Sequence, residues 1–159
     1  MATMKKSFPL ISAITNGMLV KHGKRTFIMP MSSIQEILHI QSSDCILIKE
    51  NTEFMEFRSV FLPVFRIDEL LFSERNQVPT TVAIIINHNE TKFILACELV
   101  LEQVQVVMKS LGQSLDHTQG ISGGAILSDG NIGLVLDIEG LAQKIKIQSL
   151  KWRQHDVSN

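Results

Sequence analysis

Tyrosine is absent from this 159-residue chain, tryptophan occurs once and phenylalanine eight times. So thin an aromatic supply leaves no platform on which bases could stack. Charge is sparse as well. Asp, Glu, Lys and Arg make up 19% of residues, the net charge is -1 and the pI is about 6.5. No strong field of either sign steers the chain to nucleic acid or an anionic membrane, so neither is an expected partner. The two cysteines, Cys45 and Cys97, sit in separate apolar runs and read as buried free thiols, not as a secreted disulfide framework. No run reaches the ~18 apolar residues of a membrane span. Lys5-Lys6 ahead of Phe8–Ile14 is too interrupted, by Pro9 and Ser12, for a signal peptide. A soluble cytoplasmic protein without membrane insertion is the expectation. Phosphate loops are missing: there is neither G-x-x-x-x-G-K nor G-x-G-x-x-G. His22, His39, His88, His117 and His155 have no metal-ligand spacing and read as solvated or turn residues. No metal, cofactor or bound nucleotide is expected.

What the chain does have is repetition. Lys21-His22-Gly23-Lys24-Arg25-Thr26-Phe27-Ile28-Met29 matches Asn87-His88-Asn89-Glu90-Thr91-Lys92-Phe93-Ile94-Leu95 at an offset of 66, and the match runs on to Glu36 and Glu102. Phe61–Phe65 matches Asn131–Val135 at an offset of 70, as does Glu69-Leu70-Leu71 with Glu139-Gly140-Leu141. A duplicated β unit predicts two similar lobes, which suit recognition better than chemistry. Apolar residues are 45% of the chain, ample for a core.

Strand signals recur throughout. Met18–Val20 and Thr26–Met29 flank a hairpin turn. Ser33–Leu38 fits a short helix or an alternating strand. Cys45–Lys49, Phe54–Arg58 and Phe61–Arg66 read as strands, the last demoted to an edge or bulge by Pro63. Ile67–Phe72 reads as a short helix and Ser73–Pro79 as the lobe boundary. Thr81–Ile86 has the continuous apolar character of a strand buried on both faces, and Lys92–Cys97 returns from it. Leu99–Lys109 is a long strand with one wet face, and Gly112–Gly124 a loop. Asp129-Gly130 between Ala125–Leu127 and Ile132–Leu136 signals a hairpin, because that turn needs positive φ. Ile138–Ile147 closes as a helix. The class is all-β with short helices, of the small-barrel kind.

Gly120-Ile121-Ser122-Gly123-Gly124 resembles the nucleophile loop of trypsin-like serine proteases, also duplicated barrels, with His39 and Asp68 as candidate partners for Ser122. Ile121 stands where that family has Asp, and His39 lacks its surroundings, so this enzyme reading is the alternative. Glu36 and Arg58 lie in otherwise apolar segments. Either both are solvated on strand faces, or they pair across the first lobe near a functional surface.

Residues 105–112 (Gln105-Val106-Val107-Met108-Lys109-Ser110-Leu111-Gly112) followed by Gly120 to Ile138 resemble the CheW-like module of bacterial chemotaxis. They are most similar to the C-terminal regulatory domain of the chemotaxis histidine kinase CheA. Phe27-Ile28-Met29-Pro30, Ile34-Gln35-Glu36-Ile37 and Leu62-Pro63-Val64-Phe65-Arg66-Ile67 fit the same family. The resemblance spans 8–142. It implies two five-stranded SH3-like barrels, subdomain 1 at 17–72 and subdomain 2 at 78–142, with flexible termini at 1–7 and 148–159. It also implies no catalysis or cofactor. The implied role is a scaffold docking a histidine kinase to a CheW-type coupling protein and to the cytoplasmic tips of methyl-accepting chemoreceptors. A kinase-derived domain is expected ahead of a free-standing coupling protein. Glu36, Arg58, Ile34, Leu62 and Leu127 are the expected partner-binding residues. Ser59 replaces the family's usual glycine after the arginine, which bears on the local turn.

Overall fold

The computed structural model describes residues 14–49, 52–74, 77–110 and 118–146; the expected flexible termini lie outside this range. Eleven strands follow one another: β1 (Ile14–His22), β2 (Arg25–Pro30), β3 (Ile34–His39), β4 (Cys45–Lys49), β5 (Thr52–Phe57), β6 (Val60–Arg66), β7 (Val82–His88), β8 (Thr91–Cys97), β9 (Leu99–Val107), β10 (Ile121–Ile126) and β11 (Ile132–Leu136). Helix α1 (Ile67–Phe72) follows β6, and a second helix, α2, over residues 138–146 follows β11. The chain is all-β, in two sheets. One runs β10-β11-β2-β1-β9 and the other β3-β7-β8-β6-β5-β4. The first forms barrel A, where reciprocal backbone bonds of 2.8 Å between Lys109 and Gly124 join the end of β9 to β10. The second forms barrel B, which carries β4 as an extra edge.

The sheets do not follow the contiguous segments 17–72 and 78–142 expected from the sequence. Barrel A takes hairpin β1–β2 from the first repeat and β9, β10 and β11 from the second. Barrel B takes hairpin β7–β8 from the second repeat and β3 to β6 from the first. The repeats have exchanged hairpins through two parallel contacts, β11 with β2 and β6 with β8.

Strand alternation sorts each hairpin onto two cores. Leu19 and Ile28 face the interior of barrel A with Ala125 and Val135. Ala83, Ile85, Ile94 and Ala96 fill barrel B with Met55, Leu62 and Val64. The alternate positions, Val20, Phe27 and Met29 with Ile84, Ile86, Phe93 and Leu95, form a shared core between the barrels, closed by Ile67 and Leu70 of α1 and Ile138 and Leu141 of α2. This is why β7 is buried on both faces. Each fully buried Ile or Phe contributes about 1.5–3 kcal/mol by leaving water.

The register corrects the second repeat offset. Val64 pairs with Ile94 and Val135 with Ile28, so β6 and β11 are equivalent at an offset of 71, not 70. The helices agree, since Ile67, Leu70 and Leu71 correspond to buried Ile138, Leu141 and Ala142. One residue matters here because it turns every side chain of a strand to the other face.

Three local readings also change. The segment Ser33–Leu38 divides, with Ser33 ending a 3-10 turn (Met31–Ser33) and the rest lying in strand β3. Part of the expected loop Gly112–Gly124 is β10, and residues 111–117 lie outside the described range. Pro63 sits in an interior strand, not at an edge. Its pairing with Phe54 alternates with the bonded pairs counted from the two-residue turn, and the ladder to β8 begins only at Val64, so no N–H is missed. Gly130 has φ of 86°, as the hairpin requires, and Arg58-Ser59 turns β5 into β6 at φ of 51° and 66° without any glycine.

Candidate docking surface

The candidate triad of the alternative enzyme reading is not brought together. Asp68 is buried against His22, with His22 Nε2 3.1 Å from Asp68 Oδ1. Ser122 Oγ donates to the Val135 carbonyl at 3.3 Å, from an outer strand of barrel A. His39 is exposed on β3, an outer strand of barrel B. The cysteines are free; burial pushes the Cys97 thiol up to about 12, so it stays protonated. A cleft of about 660 Å³ beside His22 and Arg25 already has its guanidinium engaged, because Arg25 reaches Glu74 at 2.8 and 3.3 Å and stacks 4.0 Å above Phe72. Among the described residues no three His, Cys, Asp or Glu side chains gather as a metal site, and no helix is long and apolar enough to cross a membrane.

What the surface does offer is apolar area at the barrel rims. In barrel A, Ile126 and Ile132 face each other across β10–β11 at 68% and 58% exposure. Half-buried Leu127 packs on the barrel A core beside them. A groove of about 210 Å³ opens between β9 and the β10–β11 hairpin, lined by Glu102, Val104, Val106, Ile126 and Leu127, with Leu19 of the core in its lining. In barrel B the equivalent strand pair is Glu56 with Phe61. Phe61, Val60 and the edge strand residues Ile46, Leu47 and Ile48 are all exposed there.

Glu36 and Arg58 do meet, with Arg58 Nη2 3.5 Å from Glu36 Oε1. The bridge spans from β3 to the β5–β6 turn. That is the counterpart of the groove in barrel A, where Glu102 occupies the position of Glu36. Arg58 also lies 4.8 Å over the Phe57 ring. At 67% and 36% side-chain exposure the pair is solvated, not buried. Ile34 is half-buried against the shared core. Leu62, at 6% exposure inside barrel B, presents no surface to a partner. Its outward neighbour Phe61 takes its place. The offset of 70 had matched Leu62 to Ile132; the observed 71 matches Phe61 to it.

Two features escaped sequence reasoning. The first is the outward trio Phe61, Ile126 and Ile132, whose signal lay in that one-residue shift. The second is His22, taken for a solvated turn residue but buried at 3% on Asp68. His88, its repeat counterpart, makes a similar bond, His88 Nε2 to Glu139 Oε2 at 2.5 Å. That bond, with help from Gln143 and Lys146, holds the Glu139 carboxyl below its ordinary value.

The model of the CheW-like domain family matches residues 16–146. Chemotaxis protein CheA of Bacillus subtilis is 32% identical over 135 residues, covering 84% of this chain and 20% of that protein. Chemotaxis protein CheA of Rhizobium meliloti is 28% identical over 148 residues, covering 91% of this chain and 20% of that protein. The chain thus spans about one fifth of the length of the curated relatives it matches. Among solved structures, scaffolding protein TtCheW from Thermoanaerobacter tengcongensis shares the fold at a TM-score of 0.61 and 13% identity, over 79% of this chain and 90% of that one.

Proposed function

Because the chain belongs to the CheW-like domain family, we propose that it is a non-catalytic docking domain of a chemotaxis signalling array. In this reading it joins a histidine kinase to a CheW-type coupling protein and to the cytoplasmic tips of chemoreceptors. It works in the cytoplasm, and the kinase activity resides outside it. The kinase-derived form is favoured over a free-standing coupling protein by its likeness to CheA proteins.

The observation that carries the proposal is the pair of apolar rims. Ile126 and Ile132 on one barrel and Phe61 on the other are outward and more than half exposed, and Phe61 and Ile132 are equivalent in the repeat. Apolar area left at such positions is typical of surfaces that associate. Two rims on opposite barrels give one domain two docking points, which is what a scaffold needs to extend an assembly. Glu36 and Arg58, solvated beside the barrel B rim, add charge complementarity that steers and orients a partner more than it adds affinity.

The test is a pull-down with a CheW-type coupling protein and a chemoreceptor tip fragment. Leu127→Asp, which charges a side chain half-buried on the barrel A core, is expected to lower the melting temperature, stay cooperative and lose the coupling protein. If that variant does not fold, Ile126→Asp, at a residue 68% exposed, decides in its place. Unchanged capture would move the docking surface elsewhere. Specific ATP binding by the isolated chain would also contradict the proposal.

A further inference from the structure

Two histidine–carboxylate bonds are related by the internal repeat, and each one crosses between the barrels. His22 ends β1 of barrel A, and its partner Asp68 is the second residue of α1, which continues from β6 of barrel B. His88 ends β7 of barrel B, and its partner Glu139 is the second residue of α2, which continues from β11 of barrel A. The histidines correspond at the offset of 66 and the carboxylates at 71, the offsets that relate the strands carrying them. The bonds therefore run in opposite senses across the shared core, each from a hairpin of one barrel to the helix leaving the other.

Their environments differ. His22 and Asp68 are nearly inaccessible, at 2% and 3% side-chain exposure. Asp68 Oδ1 also accepts from the Glu69 N–H at 3.0 Å, while His22 Nδ1 and Asp68 Oδ2 have no partner. Breaking the bond would leave His22 Nε2 buried without a partner as well, so the pair resists separation. Around it, Arg25 pairs with His22 across the hairpin and the Gly23 N–H donates to Glu98 at 3.0 Å, fixing the strand end. His88 and Glu139 are 26% and 56% exposed, so water can replace either partner. Asn89 and Gln143 contact this second bond at 3.3 Å.

We propose that these crossed bonds act as paired clasps that set the angle between the barrels, the buried His22–Asp68 bond as a fixed pin and the exposed His88–Glu139 bond as a releasable latch. Packing of the shared core alone resists separation of the barrels but permits sliding of one apolar layer on another. A directional bond on each side of that layer removes the sliding freedom. A domain that docks a partner on each barrel transmits geometry only if the angle between its docking points is defined.

The test is a distance measurement between spin labels on the two barrels. Gln103→Cys on β9 and Glu56→Cys on β5 provide exposed sites. Cys45→Ser removes the half-buried thiol, and Cys97 is buried and stays unlabelled. The parent should give one narrow distance. Glu139→Ala should broaden it while the melt stays cooperative. His22→Ala should broaden it further, and His22→Gln, which keeps an N–H for Asp68, should restore much of the narrow peak. A parent-like distance in Glu139→Ala together with a parent-like distance in folded His22→Ala would overturn the proposal. If His22→Ala does not fold, Glu139→Ala decides alone: broadening supports the latch, and a parent-like peak overturns it. Greater broadening from Glu139→Ala than from folded His22→Ala would overturn the assignment of pin and latch.

Discussion

Barrel A and barrel B share a strand order, with β4 added in barrel B, and present matching hairpins to the shared core, yet they finish their open sides differently. In barrel B the gap between β3 and the β5–β6 hairpin is spanned by Glu36 and Arg58 at 3.5 Å. In barrel A the matching gap between β9 and the β10–β11 hairpin is left as an open groove of about 210 Å³ with mixed polar and apolar walls, and Glu102 stands where Glu36 does. Inside, Ile28 answers Ile94 and Phe27 answers Phe93, all fully buried. At the rim, Ile126 answers Glu56. The interior must satisfy close packing, which penalises change in either copy. The exposed rim is under no such packing constraint, and there the two copies differ. The difference teaches that the hairpins are alike where they face the shared core, while Met55 and Leu62 inside barrel B answer Ala125 and Gly133 in barrel A and the rims differ outright.

The shared core offers the largest test of the likeness. Phe27→Ala and Phe93→Ala should each cost about 3–5 kcal/mol in chemical denaturation, since both vacate the same packed layer. A clear inequality would mean that one hairpin carries the core and the other rests on it. Next is the histidine pair. His22→Ala leaves buried Asp68 with only the Glu69 N–H as a partner and should cost about 3 kcal/mol. His88→Ala removes a solvated bond and should cost about 0–1 kcal/mol. Similar losses in the two melts would erase the distinction between pin and latch. The hairpin turns come third and should move in opposite directions. Gly130→Val puts a branched side chain at positive φ and should cost about 1–2 kcal/mol, whereas Ser59→Gly should stabilise by about 1 kcal/mol because it relieves that conformation. Gly130 has open space around it, so crowding does not confuse the reading. Smallest is the Glu36–Arg58 bridge. Its exposure limits the coupling in a double-mutant cycle to about 0–1 kcal/mol, well below what a buried pair would give.

Much of this architecture is legible locally. The β1–β2, β7–β8 and β10–β11 hairpins follow from alternation and turn residues, and α1 from its own short pattern. The exchange of hairpins between repeats is not legible, because it rests on the parallel contacts β11–β2 and β6–β8, which join distant segments and leave no turn signature. Two charges in apolar surroundings leave open whether Glu36 and Arg58 are solvated or paired; they are both, since a turn residue such as Arg58 can reach solvent and its partner together. Leu62 and Phe61 differ by one position, and only the register separates interior from rim. His22 reads as a turn residue because its partner Asp68 arrives from the helix behind the other barrel.

The most direct measurement is a calorimetric titration of a CheW-type coupling protein into three forms of the chain: the parent, Ile126→Asp and Phe61→Asp. Both positions are exposed, so both variants should fold with the parent's melting curve. The account predicts that the parent binds and that each substitution removes the docking of its own barrel and leaves that of the other. A parent that fails to bind, or two variants that bind as it does, would contradict the claim that these rims are docking surfaces.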